Sequence, residues 1–368
     1  MNLKNSVLLL VLPLFFACSQ TATNNEKVKL IELKESTDIL PISSFASKID
    51  YLELKVAEAN LTMGEIENIN VIGENLIVKH RMSGKSSFWR FTKNGEYVIE
   101  LVGDRTTKIK NPKDIISYKN GFAVLAENGV HVISKNGEYL QQLVRETIVA
   151  KKFFLADEHF YAVNESSLGA SLHRLSSGTN ENMGKVLPEK VLRTTYSEVE
   201  NVEKIGIHFY SVLNDTVFAF TNEQKSPLYE FRSSSLPTFS QLCDSIGERD
   251  DNETLRYLRE NEHVIVRNYH ENQRYIFLTY WVGSNSTTAI YNKKYGSVRY
   301  FGHGINDIDG GVWDKVTYLS EKDELFIPIT AYKVSGHKIS NKKERRFARL
   351  QNKIEASGNP VIMQVKLR

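Results

Sequence analysis

A five-residue phrase that occurs twice constrains the fold most. Lys93-Asn94-Gly95-Glu96-Tyr97 returns as Lys135-Asn136-Gly137-Glu138-Tyr139, 42 residues on. Each copy follows a short apolar run (Ser87 to Phe91; Val130 to Ile133) and precedes another (Tyr97 to Val102; Tyr139 to Val144). Asn-Gly between alternating apolar runs predicts a β-hairpin with a type I′ turn, in which both central residues take positive φ. Hairpins recurring about every 40–50 residues are the sequence signature of propeller blades. The repeat therefore speaks to architecture and not to activity.

The rest of the chain is consistent with that period. Residues 28–368 contain no Pro/Gly/Ser-rich linker long enough to divide them, and a ring of blades can grow beyond the usual single-core size. Blade one is expected over Ile66–Val102 and blade two over Lys113–Val144. Blade three spans Lys151–Leu187, blade four about Thr194–Arg232 and blade five His263–Phe301. Blade six begins near Trp313, uses Leu325–Ile329, resumes at Val361–Leu367 and lacks a fourth strand. Tyr51–Val56 is a spare strand of the right length, so the ring is expected to close by this N-terminal strand lying beside the C-terminal one. Closure removes two edges that would otherwise template aggregation. The fold class is all-β, a six-bladed β-propeller with two helical insertions. Those insertions are Leu236–Glu262, rich in acidic residues, and Lys338–Glu355, rich in Lys and Arg with Phe347, Leu350 and Ile354 at helical spacing. Both are expected above one face of the ring.

The N-terminus reads as an export signal. Lys4 precedes the apolar run Val7–Phe16, which is too short to span a bilayer as a stable helix. Leu14-Phe15-Phe16-Ala17-Cys18 has the form of a lipobox, making residues 1–17 a signal peptide, Cys18 the lipidation site and residues 18–27 a polar tether. The other cysteine, Cys243, is expected to be a small buried apolar side chain. Net charge is +3, from 47 Lys and Arg against 44 Asp and Glu, which argues against nucleic acid as a dedicated partner.

Several stretches carry a resemblance. They are the lipobox before Cys18, the strand Ile49-Asp50-Tyr51-Leu52-Glu53-Leu54 and the two Lys-Asn-Gly-Glu-Tyr hairpins. Leu213-Asn214-Asp215-Thr216-Val217, the loop Gly304 to Gly311 and Asn359-Pro360-Val361-Ile362 add to them. On these the chain resembles the six-bladed β-propeller lipoproteins of Bacteroidetes, related in style to NHL-repeat propellers. The resemblance implies the fold and a cell-envelope location, with membrane attachment only through an N-terminal lipid, on a leaflet and face it does not specify. It implies no activity.

Candidate chemistry concentrates in the loop Gly302–Gly311, where His303, Asn306, Asp307 and Asp309 stand among glycines. Loops on a rigid scaffold are where binding residues gather. Asn and Asp oxygens could ligate Ca²⁺, or they could cap turns through local backbone hydrogen bonds. The Asp-x-Asp-Gly spelling does not complete an EF-hand loop, since Ile305 and Val316 would fall at ligand positions. Arg105, Arg145 and Arg193 fall at connections between blades and could form an anion-attracting funnel, or be solvated surface charges. Trp281 and Trp313, at strand ends near the axis, could stack on a ligand or pack in the core. No nucleophile elbow, zinc-protease motif, phosphate loop or dinucleotide fingerprint is present. The expectation is a monomeric, lipid-anchored binding module for an envelope protein, peptide or glycan. The alternative is a propeller hydrolase or lyase with a metal-assisted site at the channel mouth.

Overall fold

The computed structural model describes residues 28–103, 108–145, 148, 150, 152–166, 169–175, 180–185, 197–202, 206–211, 216–221, 224–233, 264–338 and 345–368, with scattered positions between 253 and 261. Among the described residues its strands form six blades of four antiparallel strands each, one of them extended by a fifth, parallel strand, and a separate two-stranded parallel ladder. Blade 1 is Glu65–Ile72, Asn75–Met82, Lys85–Thr92 and Tyr97–Val102, and blade 2 is Pro112–Tyr118, Gly121–Ala126, Gly129–Ser134 and Tyr139–Val144. Blade 3 is Phe153–Ala156, His159–Ser166, Gly169–Leu175 and Asn180–Lys185, and blade 4 is Ser197–Val202, Gly206–Ser211, Thr216–Thr221 and Gln224–Arg232. Blade 5 is Val264–Glu271, Tyr275–Val282, Asn285–Asn292 and Ser297–Phe301. Blade 6 takes Tyr318–Leu319, Glu324–Ile329 and Val361–Leu367 from the C-terminal part of the chain, and Ala46–Glu53 from the N-terminal part.

Ring closure is thus made by the N-terminal strand, with its boundary shifted. Ala46–Glu53 pairs antiparallel with Val361–Leu367 in a register that sets Tyr51 opposite Met363 and Glu53 opposite Val361. The expected strand Tyr51–Val56 overlaps its end. Leu54–Val56 instead leave the sheet and pack with Ile69, Trp89 and Phe91 of blade 1. Such alternation reflects the two buried faces of a blade. Val361, Met363 and Val365 face blade 5, whereas Ile362 faces blade 1. Apolar side chains also fill the seam between blades 3 and 4 among the described residues. Between blades 3 and 4 the rings of Phe154, Tyr161 and Phe220 meet with centroids 4.7–5.4 Å apart.

Two features of the N-terminal segment had no sequence expectation. Lys29–Glu32 adds a fifth strand to blade 4, parallel to Gln224–Arg232. The chain then crosses blade 5, where Tyr280 Oη donates to Lys34 O at 2.6 Å, before Ile39–Pro41 pairs parallel with His303–Ile305. Three consecutive blades are therefore strapped together by residues 29–53.

The hairpins correct the expected turn type. Gly95 and Gly137 have φ of +80° and +76°, but Asn94 and Asn136 are not among the residues of positive φ. The Gly95 amide bonds Thr92 O, and the Gly137 amide bonds Ser134 O, both at 3.0 Å. This is a type I turn followed by a left-handed glycine, the three-residue hairpin with a bulge, rather than type I′. The hydroxyl before each phrase completes it. Thr92 Oγ1 accepts from the amides of Asn94 and Glu96, and Ser134 Oγ from those of Asn136 and Glu138. The repeating unit is therefore a Ser/Thr followed by Lys-Asn-Gly-Glu-Tyr. Each glycine also abuts the preceding blade. A Cβ on Gly95 would lie 1.9 Å from Glu53 O of the closing strand, and one on Gly137 3.1 Å from Glu100 O. The phrase recurs because it both turns the chain and lets one blade dock on the last.

Of the two expected helical insertions, 236–262 falls almost wholly outside the described residues; Glu253, Arg256, Tyr257 and Glu260 within it are helical. The second differs from its expected span Lys338–Glu355. A short helix, Ala331–Gly336, comes first, and the main helix is Arg345–Ser357. Thr330 caps the short one by accepting from the Lys333 amide, and the Gly358 φ of +69° ends the long one. Phe347 and Ile354 are fully buried and Leu350 partly so, as their spacing requires.

Candidate functional site

In each blade the innermost strand begins, and the second strand ends, on the face that carries the inter-blade connections. The loop 302–311 and the insertion 330–360 both belong to that face. An axial cavity of about 740 Å³ opens there, lined by the starts of the innermost strands of blades 1, 2, 3 and 6, by Asn268 and His270 in the second half of that of blade 5, by the end of the second strand of blade 1, and by Thr330 and Lys333 of the insertion.

The wall is polar and cationic. Lys79 and Arg81 of blade 1 flank Glu67, at 3.1 and 2.6 Å. Lys113 opens the inner strand of blade 2, and its ammonium is held by Ile148 O. Lys152 precedes the inner strand of blade 3 and stands 3.7 Å from the buried Asp114, whose carboxyl burial pushes above its ordinary value. From blade 6 come Lys315 and the ion pair of Lys333 with Asp314. Asn68, Asn111, Asn268, Thr317 and Thr330 add neutral donors and acceptors, and His270 of blade 5 completes this part of the wall. No Trp, Tyr or Phe lines it among the described residues.

The loop 302–311 lies beside this opening rather than forming it. Asn306 and Asp309 are both 5% exposed and turned inward. Asn306 Oδ1 accepts from the amides of Ile308 and Asp309, and its Nδ2 donates to Asp309 Oδ1 at 2.7 Å. Asp309 Oδ1 also accepts from Tyr51 Oη at 3.0 Å and from the Gly311 amide. Burial and the Asp309 charge keep the Tyr51 phenol protonated. These are turn-forming bonds that lock the loop to the closing strand. Gly311 is required there, since a Cβ would lie 2.2 Å from Tyr51 Oη and 2.7 Å from the Phe347 ring. Asp307 and His303 point out; Asp307 accepts from the Ser43 amide at 2.9 Å and from its hydroxyl. The four side chains therefore do not converge on one point. Among the described residues no group of three or more His, Cys, Asp or Glu is arranged to hold a metal ion.

The remaining expected site residues scatter. Trp313 packs edge-on to Phe45 and Phe301, and Gly304 lies against its ring, so it serves the core. Trp281 is half-buried and covered by the Arg267 guanidinium 4.6 Å from its centroid. Arg145 is exposed and outside the cavity wall. Cys18, Arg105, Arg193 and Cys243 lie outside the described residues. The wall lysines were not anticipated, although a signal existed. Pro112-Lys113-Asp114 and Lys151-Lys152-Phe153 each put charge on the first positions of an otherwise apolar inner strand.

A second cluster of titratable groups is enclosed between blades 4 and 5, toward the opposite face. Glu271 accepts from Tyr229 Oη at 3.1 Å, from His208 Nδ1 at 2.6 Å, and from Tyr269 and Lys293. Burial opposes its charge, but His208 and Lys293 outweigh burial and hold the carboxyl below its ordinary value. The Glu271 and His208 side chains are 0% and 1% exposed, so no ligand reaches them.

Fold and site define a six-bladed β-propeller with a charged axial cavity on its insertion-bearing face. The chain belongs to the family described as Domain of unknown function (DUF4934), which matches residues 26–366. No curated protein matches it. Among solved structures it is similar to the crystal structure of a "Putative exported protein" from Bacteroides fragilis NCTC 9343. That likeness covers 92% of this chain and 100% of that one, at 13% identity and a TM-score of 0.74. BamB from Moraxella catarrhalis is more remote, with 14% identity and a TM-score of 0.33 over 83% of this chain and 71% of that one. At these identities the likeness speaks to the fold alone.

Proposed function

We propose that this propeller is a monomeric binding module of the cell envelope, anchored by lipid at Cys18, and that it presents the insertion-bearing face to a partner. One observation carries the reading: the large axial cavity opens on the face to which the loop 302–311 and the insertion 330–360 both contribute. Long departures from a minimal repeat are usually functional. The Bacteroides protein described as exported supports an envelope location, as do the apolar run Val7–Phe16 and the lipobox. Lys29–Glu32 runs toward the cavity-bearing face, so a lipid tether would approach from the other side and leave the cavity facing away from the membrane.

The test has two arms. Cys18→Ser should shift the protein from the membrane fraction to the soluble one; unchanged fractionation removes the lipid anchor. Partners captured from envelope extracts by the wild-type protein should be lost with Thr330→Arg, beside the cavity, and retained with Asp157→Arg, in a turn on the opposite face. The reverse pattern assigns the wrong face.

A further inference from the structure

We propose that the axial cavity is a site for a small organic anion carrying two or more carboxylate or phosphate groups. The inference deepens the reading that this face binds, and rests on it.

Size and composition lead to the same class of ligand. About 740 Å³ lies within the range of roughly 300–1,000 Å³ typical of small-molecule pockets. Among the described residues six cationic side chains line it: Lys79, Arg81, Lys113, Lys152, Lys315 and Lys333. Against them stand Glu65, Glu67 and Asp314 in the wall, and Asp114 behind Lys152. On blade 1 Lys79 and Arg81 are balanced by Glu65 and Glu67, so the surplus of positive charge lies on blades 2, 3 and 6, where Lys113, Lys152, Lys315 and Lys333 face Asp114 and Asp314. Like charges gathered at the mouth of a concave, low-dielectric site repel one another, and a bound anion relieves that repulsion.

Placement argues for more than one anionic group. The cations come from blades 1, 2, 3 and 6, and blades 3 and 6 stand opposite each other in a ring of six. Lys152 and Lys315 thus approach the axis from opposite sides, which a single compact monoanion does not exploit. The absence of aromatic rings among the described wall residues disfavours stacking on an uncharged sugar face or an aromatic ligand. Asn68, Asn111, Asn268, Thr317 and Thr330 suit hydroxyl or carbonyl groups between the charged ends.

The experiment is isothermal titration of the full chain with citrate, pyrophosphate and digalacturonate, with maltotriose as the uncharged probe. At least one polyanion should bind with a dissociation constant below about 1 mM and weaken as NaCl rises from about 50 to 300 mM, as screening requires. Which one binds separates carboxylate, phosphate and sugar-acid sources. Lys315→Gln with Lys333→Gln, both at the exposed mouth, should weaken it at least tenfold without moving the melting temperature. Lys113→Gln should weaken it through a different blade, and Lys294→Gln, in a turn of the opposite face, should leave it unchanged. Polyanion binding that is absent, or that the Lys315/Lys333 pair does not affect, overturns the proposal. Maltotriose binding that Thr330→Arg abolishes would overturn the anion assignment while leaving the binding face in place. Envelope partners lost only with Asp157→Arg would overturn both.

Discussion

The seam that closes the ring and the seam between blades 4 and 5 solve the same packing problem with different chemistry. Between blades 6 and 1 the contact is apolar: Leu54, Val56, Ile69, Leu76, Val78, Trp89, Phe91, Phe326 and Ile362. His80, 2% exposed, packs there with its ring 4.2 Å from Trp89, and at the edge Glu53, 8% exposed, accepts from Ser357 and Asn359 and pairs with Lys353. Between blades 4 and 5 a comparable apolar set is joined by Ile31 and Leu33 of the N-terminal strap, and Glu271 lies buried among His208, Tyr229, Tyr269 and Lys293. The closing seam joins chain segments from opposite ends of the sequence, and there the Glu53 carboxylate lies at the edge, paired with the exposed Lys353. The 4/5 seam, already linked by the chain, encloses its charge completely, with the Glu271 side chain 0% exposed. Apolar contacts tolerate modest change of shape, whereas a buried charge network fails as soon as one member is removed.

The largest expected effect therefore belongs to the 4/5 seam. Glu271→Ala would strand Lys293, His208 and two phenols in an enclosed site, and breaking such a network costs about 3–5 kcal/mol. Phe91→Leu on the closing seam removes less and should cost below about 1.5 kcal/mol. Urea unfolding of the two variants compares them directly. Equal losses would mean that the 4/5 network is no more than packing.

Acid should separate the seams next. Burial lowers the pKa of His80 from 6.5 to about 4. Between those values the unfolded chain binds more protons, so stability is fully present above pH 6.5 and is lost as pH falls toward 4. The slope for one such histidine is about 1.4 kcal/mol per pH unit. His131, between blades 1 and 2, is lowered to about 4 by burial and adds a parallel slope. Glu271 acts in a different window: held below its ordinary value of 4.5, its contribution is present above that pH and declines beneath it. His80→Gln should flatten the stability profile between pH 6.5 and 4.5 by one histidine's share. A variant profile parallel to wild type would show that His80 is protonated in the folded state.

The same contrast explains what could be read from the residues. The apolar seams were legible because strand alternation writes them into the sequence; blade boundaries and the closing partner Val361–Leu367 follow from it. The turn phrase was legible as a hairpin but not as its true type, because a type I turn with a left-handed glycine also spells Asn-Gly. Thr92 and Ser134, which distinguish the two, stand just before the repeat. Blade 5 shows how far the signal degrades. Its hairpin Asn292-Lys293-Lys294-Tyr295-Gly296 keeps a side-chain cap, with Asn292 Oδ1 accepting from Lys294 and Tyr295, and a Gly296 φ of +64°. The cavity was not legible. Its cations come from four blades, and only ring geometry brings Lys152 and Lys315 to one axis. The loop 302–311 drew notice for residue types that the structure uses mainly to fix Tyr51.

The smallest expected effect concerns the helix Arg345–Ser357, where the apolar and charged strategies meet in one element. Phe347 and Ile354 face the core at 0% exposure, and the Tyr51 and Phe347 ring centroids are 5.7 Å apart. On its outer side Arg346 bonds Asp50 at 2.6 Å, with the two side chains 54% and 39% exposed. An exposed pair of this kind is worth about 0–1 kcal/mol, because water screens it and both side chains lose rotamer freedom. Arg346→Glu with Arg349→Glu should therefore leave the unfolding midpoint nearly unchanged. Capture of a partner by the cavity-bearing face should weaken nonetheless, since two positive charges at its edge become negative. A large loss of stability would show that the helix is held by its charges and not by Phe347 and Ile354, contrary to the packing observed. Unchanged stability with unchanged capture would confine the binding surface to the cavity and its immediate mouth.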